Sequence, residues 1–123
     1  MFLVLTLSLR AEVIHFRVVN GDDGKPVKDE FVKVWVNGSK KAFELGTRGG
    51  LARIDVAKGA TITIAPKRYH DCRANDKATY SADEIAGAGV VTENTCGPAP
   101  AVKRGGELLL FVRPKGFVER LKP

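Results

Sequence analysis

The chain has 123 residues, the size of one domain and too short for two separate cores. Its 44% hydrophobic content excludes disorder throughout, and 13 glycines with six prolines between short apolar runs exclude a mainly helical chain. A net charge of +6 raises the odds of an acidic partner, but only Lys40-Lys41, Lys67-Arg68 and Lys103-Arg104 are adjacent basic pairs, so the charge describes a solvated basic surface.

The run Phe2 to Leu9, followed by Arg10 and Ala11, is too short to span a bilayer, so no membrane span is expected. It has the length of the apolar region of a signal peptide, and residues 1–11 are read as one with a truncated start. The other reading is a first β-strand. From residue 12 to residue 123 the chain reads as a single domain. Glu12 to Val19 alternates, with Ile14, Phe16 and Val18 on one face and Val13, His15 and Arg17 on the other. Turn residues fill Asn20 to Pro26. The next strand, Phe31 to Val36, puts Val32, Val34 and Val36 on one face and Phe31, Lys33 and Trp35 on the other. Ala42–Leu45 is a short strand candidate. Leu51–Val56 and Ala60–Ala65 alternate again, and Pro66 closes the latter.

Beyond Tyr69-His70-Asp71-Cys72 the texture changes. Arg73 to Thr79 is polar and reads as a loop. Ser81 with Glu84 forms a capping box, which predicts one short helix near 82–88 that buries Ile85 and Ala86 and stops at Gly87 or Gly89. Gly97-Pro98-Ala99-Pro100 reads as a loop. Glu107 to Arg113 is apolar on both faces and predicts a strand at the centre of a sheet, and the tail from Gly116 allows one docked helical turn. The whole predicts an all-β, antiparallel sandwich of about seven strands with that one helix.

The two cysteines, Cys72 and Cys96, lack the Cys-x-x-Cys spacing of a redox or zinc site. A disulfide between them would add roughly 3.5 kcal/mol on chain-entropy grounds. Two buried thiols in a reducing cytosol are the other reading. The disulfide and the signal peptide support each other, so the protein is expected to be exported, periplasmic or extracellular.

Three stretches carry a family likeness: Val18-Val19-Asn20-Gly21-Asp22-Asp23-Gly24-Lys25-Pro26-Val27, Val32-Lys33-Val34-Trp35, and Thr47-Arg48-Gly49-Gly50-Leu51-Ala52-Arg53-Ile54. Together they resemble the carboxypeptidase regulatory-like module, which implies a transthyretin-like (prealbumin-like, Ig-like) sandwich over residues 12 to 65. The chain departs from that pattern at Lys28-Asp29-Glu30 and Gly49-Gly50. The half from Cys72 onward is similar to small exported bacterial proteins built on the same sandwich. A shared fold says little about function.

Chemistry is sparse. Hydroxyisourate hydrolases resemble this fold, but their closing Tyr-Arg-Gly-Ser signature is not matched by Phe117 to Pro123. Intradiol dioxygenases hold iron with two tyrosines and two histidines. Tyr69, Tyr80, His15 and His70 supply the types without that family's His-x-His. His70-Asp71 could be a base with its carboxylate, but neighbours in an extended strand point to opposite faces. No catalytic or metal-binding residue and no cofactor is therefore assigned. Phe31, Lys33 and Trp35 come closest to the interleaved basic and aromatic pattern of nucleic-acid binding, but Trp35 reads first as core, and nucleic acid is not expected. The expected function is a non-catalytic exported module that binds a protein or glycan partner. Asn94, Thr95, Arg113 and Trp35 form the candidate surface. The alternative is a small hydrolase or metal-dependent enzyme using His15 or His70.

Overall fold

The computed structural model of the chain describes residues 11–116. Of the expected leader or first strand over residues 1–11, all but Ala11 lie outside them, as does the docked turn expected after residue 116. The alternation that begins at Glu12 becomes β1 (Ala11–Asn20), in which Ile14, Phe16 and Val18 are fully buried and Val13 is exposed. After it come β2 (Phe31–Val36), β3 (Phe43–Gly46), β4 (Leu51–Ala57) and β5 (Thr61–Pro66). Next are β6 (His70–Asp71), β7 (Thr79–Ser81), helix α1 (Ala82–Ala86), β8 (Val90–Val91) and β9 (Glu107–Arg113). Seven strands have three residues or more, in line with the expected total of about seven; six occupy the predicted segments, and β7 joins the two-residue β6 and β8 as strands outside them.

These strands form two sheets, in the orders β4-β1-β9-β6 and β3-β2-β5-β7, with β8 joining β9 beside β6. The second sheet is antiparallel throughout. The first is mixed, because β9 runs parallel to both β1 and β8. A parallel pair of strands needs a long crossover rather than a hairpin, and here most of the chain lies between β1 and β9. The valine face of β2, the isoleucines of β5 and Ile14, Phe16, Val18, Leu108, Leu110 and Val112 of the first sheet make the core between the sheets.

The strand β9 is central, as its composition predicts. Its even-numbered leucines and Val112 enter the main core, while Leu109 and Phe111 enter a second apolar cluster with Val19 and Cys72 on the outer face. Val91, Cys96 and Ala99 cover that cluster, so the segment after α1 works as a lid on the sheet.

The turn after β1 forms as its residues require. The Asp22 N–H donates to Asn20 Oδ1, the Lys25 N–H donates to Asp23 Oδ1, and Gly24 takes φ +74°. Helix α1 is shorter than the sequence pattern suggests. Ser81 caps it by accepting the Glu84 N–H at 3.2 Å, Ala82 and Ile85 are fully buried, and Gly89, at φ +87°, takes the chain out. A Cβ at Gly89 would stand 2.0 Å from the Arg104 carbonyl oxygen, so only glycine fits there.

Glu12 and Asp83 meet where β1 passes α1. The Asp83 carboxylate in hydrogen-bond reach, burial and like charge hold Glu12 above the ordinary carboxylate range. The Gly59 N–H, donating to Asp83 Oδ1 at 2.9 Å, and the bond with Glu12 hold Asp83 below its own. Glu12 Oε2 is buried and lacks a donor when ionised. A raised folded-state value means that Glu12 favours folding while it is protonated and loses that contribution as pH rises through its folded value. Glu12→Gln, which can donate to Asp83 at any pH, is therefore expected to raise Tm at pH 7. Thermal melts should show that gain shrinking to nothing below about pH 4, where Glu12 itself is protonated.

Candidate functional site

The disulfide Cys72–Cys96 is formed and fastens the segment after β8 to the end of β6. Thr95 reinforces the join, since both its N–H and its Oγ1 donate to the Cys72 carbonyl at 2.8 Å. Asn94 ties the same segment to the turn after β1. Its Nδ2 donates to the carbonyls of Gly21 and Gly97, and its Oδ1 accepts the Cys96 N–H. The packing is tight enough that a Cβ on Gly21 would lie 2.5 Å from Asn94 Oδ1, and one on Gly97 would lie 2.7 Å from the Asp22 Cα. Asn94 and Thr95 thus direct their polar groups inward as a clamp. Arg113 closes β9, with Nη1 donating to the Pro114 carbonyl.

Trp35 is placed differently from its first reading. It is absent from the core and stands half-buried on the outer face of the β3-β2-β5-β7 sheet. The alternation that buries Val34 turns Trp35 to that outer face, where Asp76 and Lys77 of the loop before β7 flank it without burying it. Trp35 lines an open cleft of about 430 Å³ with Gly38, Ser39, Thr63, Ala65, Asp76 and Lys77. Nearby on the same face, Lys67 Nζ and the Arg68 guanidinium stand 5.4 and 5.0 Å from the centre of the Phe31 ring. Lys67 also donates to Glu44 at 2.9 Å, and that bond holds the Glu44 carboxyl below its usual range.

A second, more polar cleft of about 410 Å³ adjoins the first through Ala65 and Asp76, and Tyr69, His70, Asp71, Arg73, Thr95 and Lys115 are among its other lining residues. Its floor is the Arg73 side chain, only 1% exposed. Arg73 Nε and Nη2 donate to the Asp71 carboxylate, Nη2 also to the Ile64 and Asp76 carbonyls, and Nη1 to the Tyr80 hydroxyl. Burial pulls the Arg73 pKa down, but the bonds to Asp71 and Tyr80 outweigh it and leave the value raised. The Tyr69 hydroxyl donates to Asp29 Oδ1, which raises its pKa.

His70 therefore lies in a concave site, while the Asp71 carboxylate beside it is already bonded to Arg73. His15 sits on β1 opposite Arg53 and Glu107, away from both clefts. Tyr69 and Tyr80 are not gathered with the two histidines around one point, and among the described residues no three His, Cys, Asp or Glu side chains are grouped to hold a metal ion. Among the same residues no helix is long and apolar enough to cross a membrane.

Glu30 and Arg73 are the buried charged residues that sequence reasoning passed over. Each sits in a polar run that reads as loop, and a single chain offers no periodicity by which such a residue could be separated from its exposed neighbours. No family model matches this chain, and it matches no curated protein and no solved structure.

Proposed function

We propose that the protein is a non-catalytic exported binding module that takes a glycan on the outer face of the β3-β2-β5-β7 sheet. The carrying observation is Trp35, a half-buried ring in an open cleft whose rim carries Ser39, Thr63, Asp76 and Lys77. An indole offers a flat apolar face for the C–H groups of a pyranose, and the surrounding hydroxyl, carboxylate and ammonium groups match sugar hydroxyls. The cations at Lys33, Lys67, Arg68 and Lys77 and the net charge of +6 favour a sugar that bears carboxylate or sulfate groups. Export is supported by the disulfide, which persists in oxidising compartments, together with the apolar run at Phe2–Leu9. The two-sheet sandwich and the turn at Asn20–Pro26 support the reading of a carboxypeptidase regulatory-like, transthyretin-like domain.

Trp35 is the single tryptophan, so its fluorescence reports on this face directly. Titration with neutral and anionic oligosaccharides is expected to shift that emission, and Trp35→Ala should weaken binding at least about tenfold, or 1.4 kcal/mol, with the circular dichroism unchanged. Binding that survives Trp35→Ala undiminished, or none at millimolar sugar, would refute the reading.

The alternative, an enzyme using His70, is favoured by the place of that residue in the polar cleft. Against it, the neighbouring carboxylate of Asp71 already bonds Arg73. Turnover of an ester or glycoside panel that is lost in His70→Ala would establish it.

A further inference from the structure

Both sheets end on the same flank of the sandwich, one in β4 and the other in β3. Among the described residues, no strand pairs with the outer edge of either, and the one contact on the β4 edge is the isolated bridge of Arg48 to Leu51 at its start. Between them lies an apolar cleft of about 420 Å³ lined by Val36, Phe43, Leu45, Ile54, Asp55 and Val56, and Phe43 is 58% exposed there. An unpaired edge beside an apolar cleft is a template for another strand. The question is which strand fits.

The hydrogen-bond pattern of β4 restricts the answer. The Val18 N–H donates to the Gly50 carbonyl, and the antiparallel register continues through Phe16–Ala52 and Ile14–Ile54. Hydrogen-bonded pairs alternate along an antiparallel ladder, so the even-numbered residues of β4 direct their backbone groups to β1. Of the odd-numbered residues, Leu51 already exchanges both backbone bonds with Arg48, and the Ala57 carbonyl accepts the Ala60 N–H, which leaves Arg53 and Asp55 directing theirs outward.

A second copy of β4, related by a twofold axis at Ile54, meets that requirement. Its antiparallel register sets Arg53 opposite Asp55 of the copy, Asp55 opposite its Arg53, and Ile54 opposite Ile54. The pairs that exchange backbone hydrogen bonds are then the ones whose groups point outward. Registers shifted by two residues place Arg53 against Arg53 or Asp55 against Asp55, so charge selects the central one. Both side chains are available for this, at 62% and 54% exposure, in a 3.3 Å pair within the chain. The new strand would stand beside Ile54 and Val56, where the apolar cleft opens.

We propose that β4 is the self-complementary edge of a symmetric homodimer, in which two chains join their first sheets and cover the cleft beside Phe43. An isologous interface of this kind is the commonest route to a dimer.

Sedimentation velocity of the full chain from about 5 to 200 µM tests it, spanning the range in which a small interface associates. The wild type is expected to dimerise. Arg53→Asp and Asp55→Arg alone each bring like charges together at both ends of the interface and should weaken dimerisation about tenfold or more. In an equimolar mixture of the two variants, the introduced aspartate of one chain faces the introduced arginine of the other. The native Asp55 of the first then faces the native Arg53 of the second, so the mixture should restore the dimer. Both positions are exposed, and circular dichroism confirms that each variant is folded. A wild type that stays monomeric at 200 µM would overturn the proposal, and so would coverage of the edge by the chain's own N-terminal residues. It also fails if the dimer is indifferent to either single reversal, or if the mixture does not recover it.

Discussion

Glu30→Ala is expected to cost roughly 3–6 kcal/mol, a large share of the 5–15 kcal/mol that stabilises a typical domain. Glu30 is 1% exposed, immediately before β2, and its carboxylate is a junction for the backbone. Oε1 accepts the N–H groups of Phe31 at 2.7 Å and Arg68 at 2.9 Å. Oε2 accepts those of Arg68 at 3.0 Å and Tyr69 at 2.7 Å. The carboxylate thus joins the start of β2 to the corner between β5 and β6, and the backbone carbonyl of Glu30 accepts the N–H and hydroxyl of Thr47. Alanine leaves three amide donors without an acceptor, each worth roughly 1–3 kcal/mol when buried, with entering water recovering a part. Glu30→Gln keeps one oxygen but turns an NH₂ group towards a backbone donor, so it should fall between alanine and wild type. Urea unfolding at neutral pH measures all three. A Glu30→Ala loss under about 1 kcal/mol would show that the three donors find other partners at once.

Arg73→Met is expected to cost roughly 3–5 kcal/mol, the usual consequence of stranding one member of a buried ion pair. The side chains of Arg73 and Asp71 are 1% and 15% exposed and meet through three contacts of 2.6 to 3.1 Å. Methionine has similar reach, so the loss comes from the stranded carboxylate and the orphaned Ile64 carbonyl more than from lost volume. Replacing both partners, Arg73→Met with Asp71→Leu, removes the uncompensated charge and should recover a substantial part of the stability. A double variant as unstable as the sum of the single ones would show that the pair does not act as a unit.

The elements that the sequence announced are those whose own residues carry a period. Ile14, Phe16 and Val18, the valines of β2 and the isoleucines of β5 alternate, so their strands and inward faces could be read directly. Ser81 and Glu84 marked the helix start, and Leu108 to Val112 marked a strand buried on both sides. The strands β6, β7 and β8 were not legible, because two or three residues carry no periodicity and pair only where tertiary packing brings them to β5 and β9. Trp35 shows a different limit. Alternation assigned its face correctly, but how far that face is covered depends on the loop before β7, whose Asp76 and Lys77 flank the ring without burying it. The Asn94–Gly21 clamp was invisible for a related reason, since its two ends come together only when β1 and the segment after β8 flank β9.

The pairing of β1 with β9 sets the order in which the molecule can form. Arg17 and Glu107, locked by two hydrogen bonds of 2.7 and 2.8 Å, are 90 positions apart, so β1 can pair with β4 early but its other edge must wait for β9. The β2-β5-β7 portion of the second sheet can assemble early, whereas β1 keeps an unsatisfied edge until residues 107–113 join it. Closing so long a loop is slow and leaves apolar strand surface open to other chains while it lasts. The first sheet can therefore close only once residues 107–113 are available, and the chain is most exposed to misassembly just before β9 arrives.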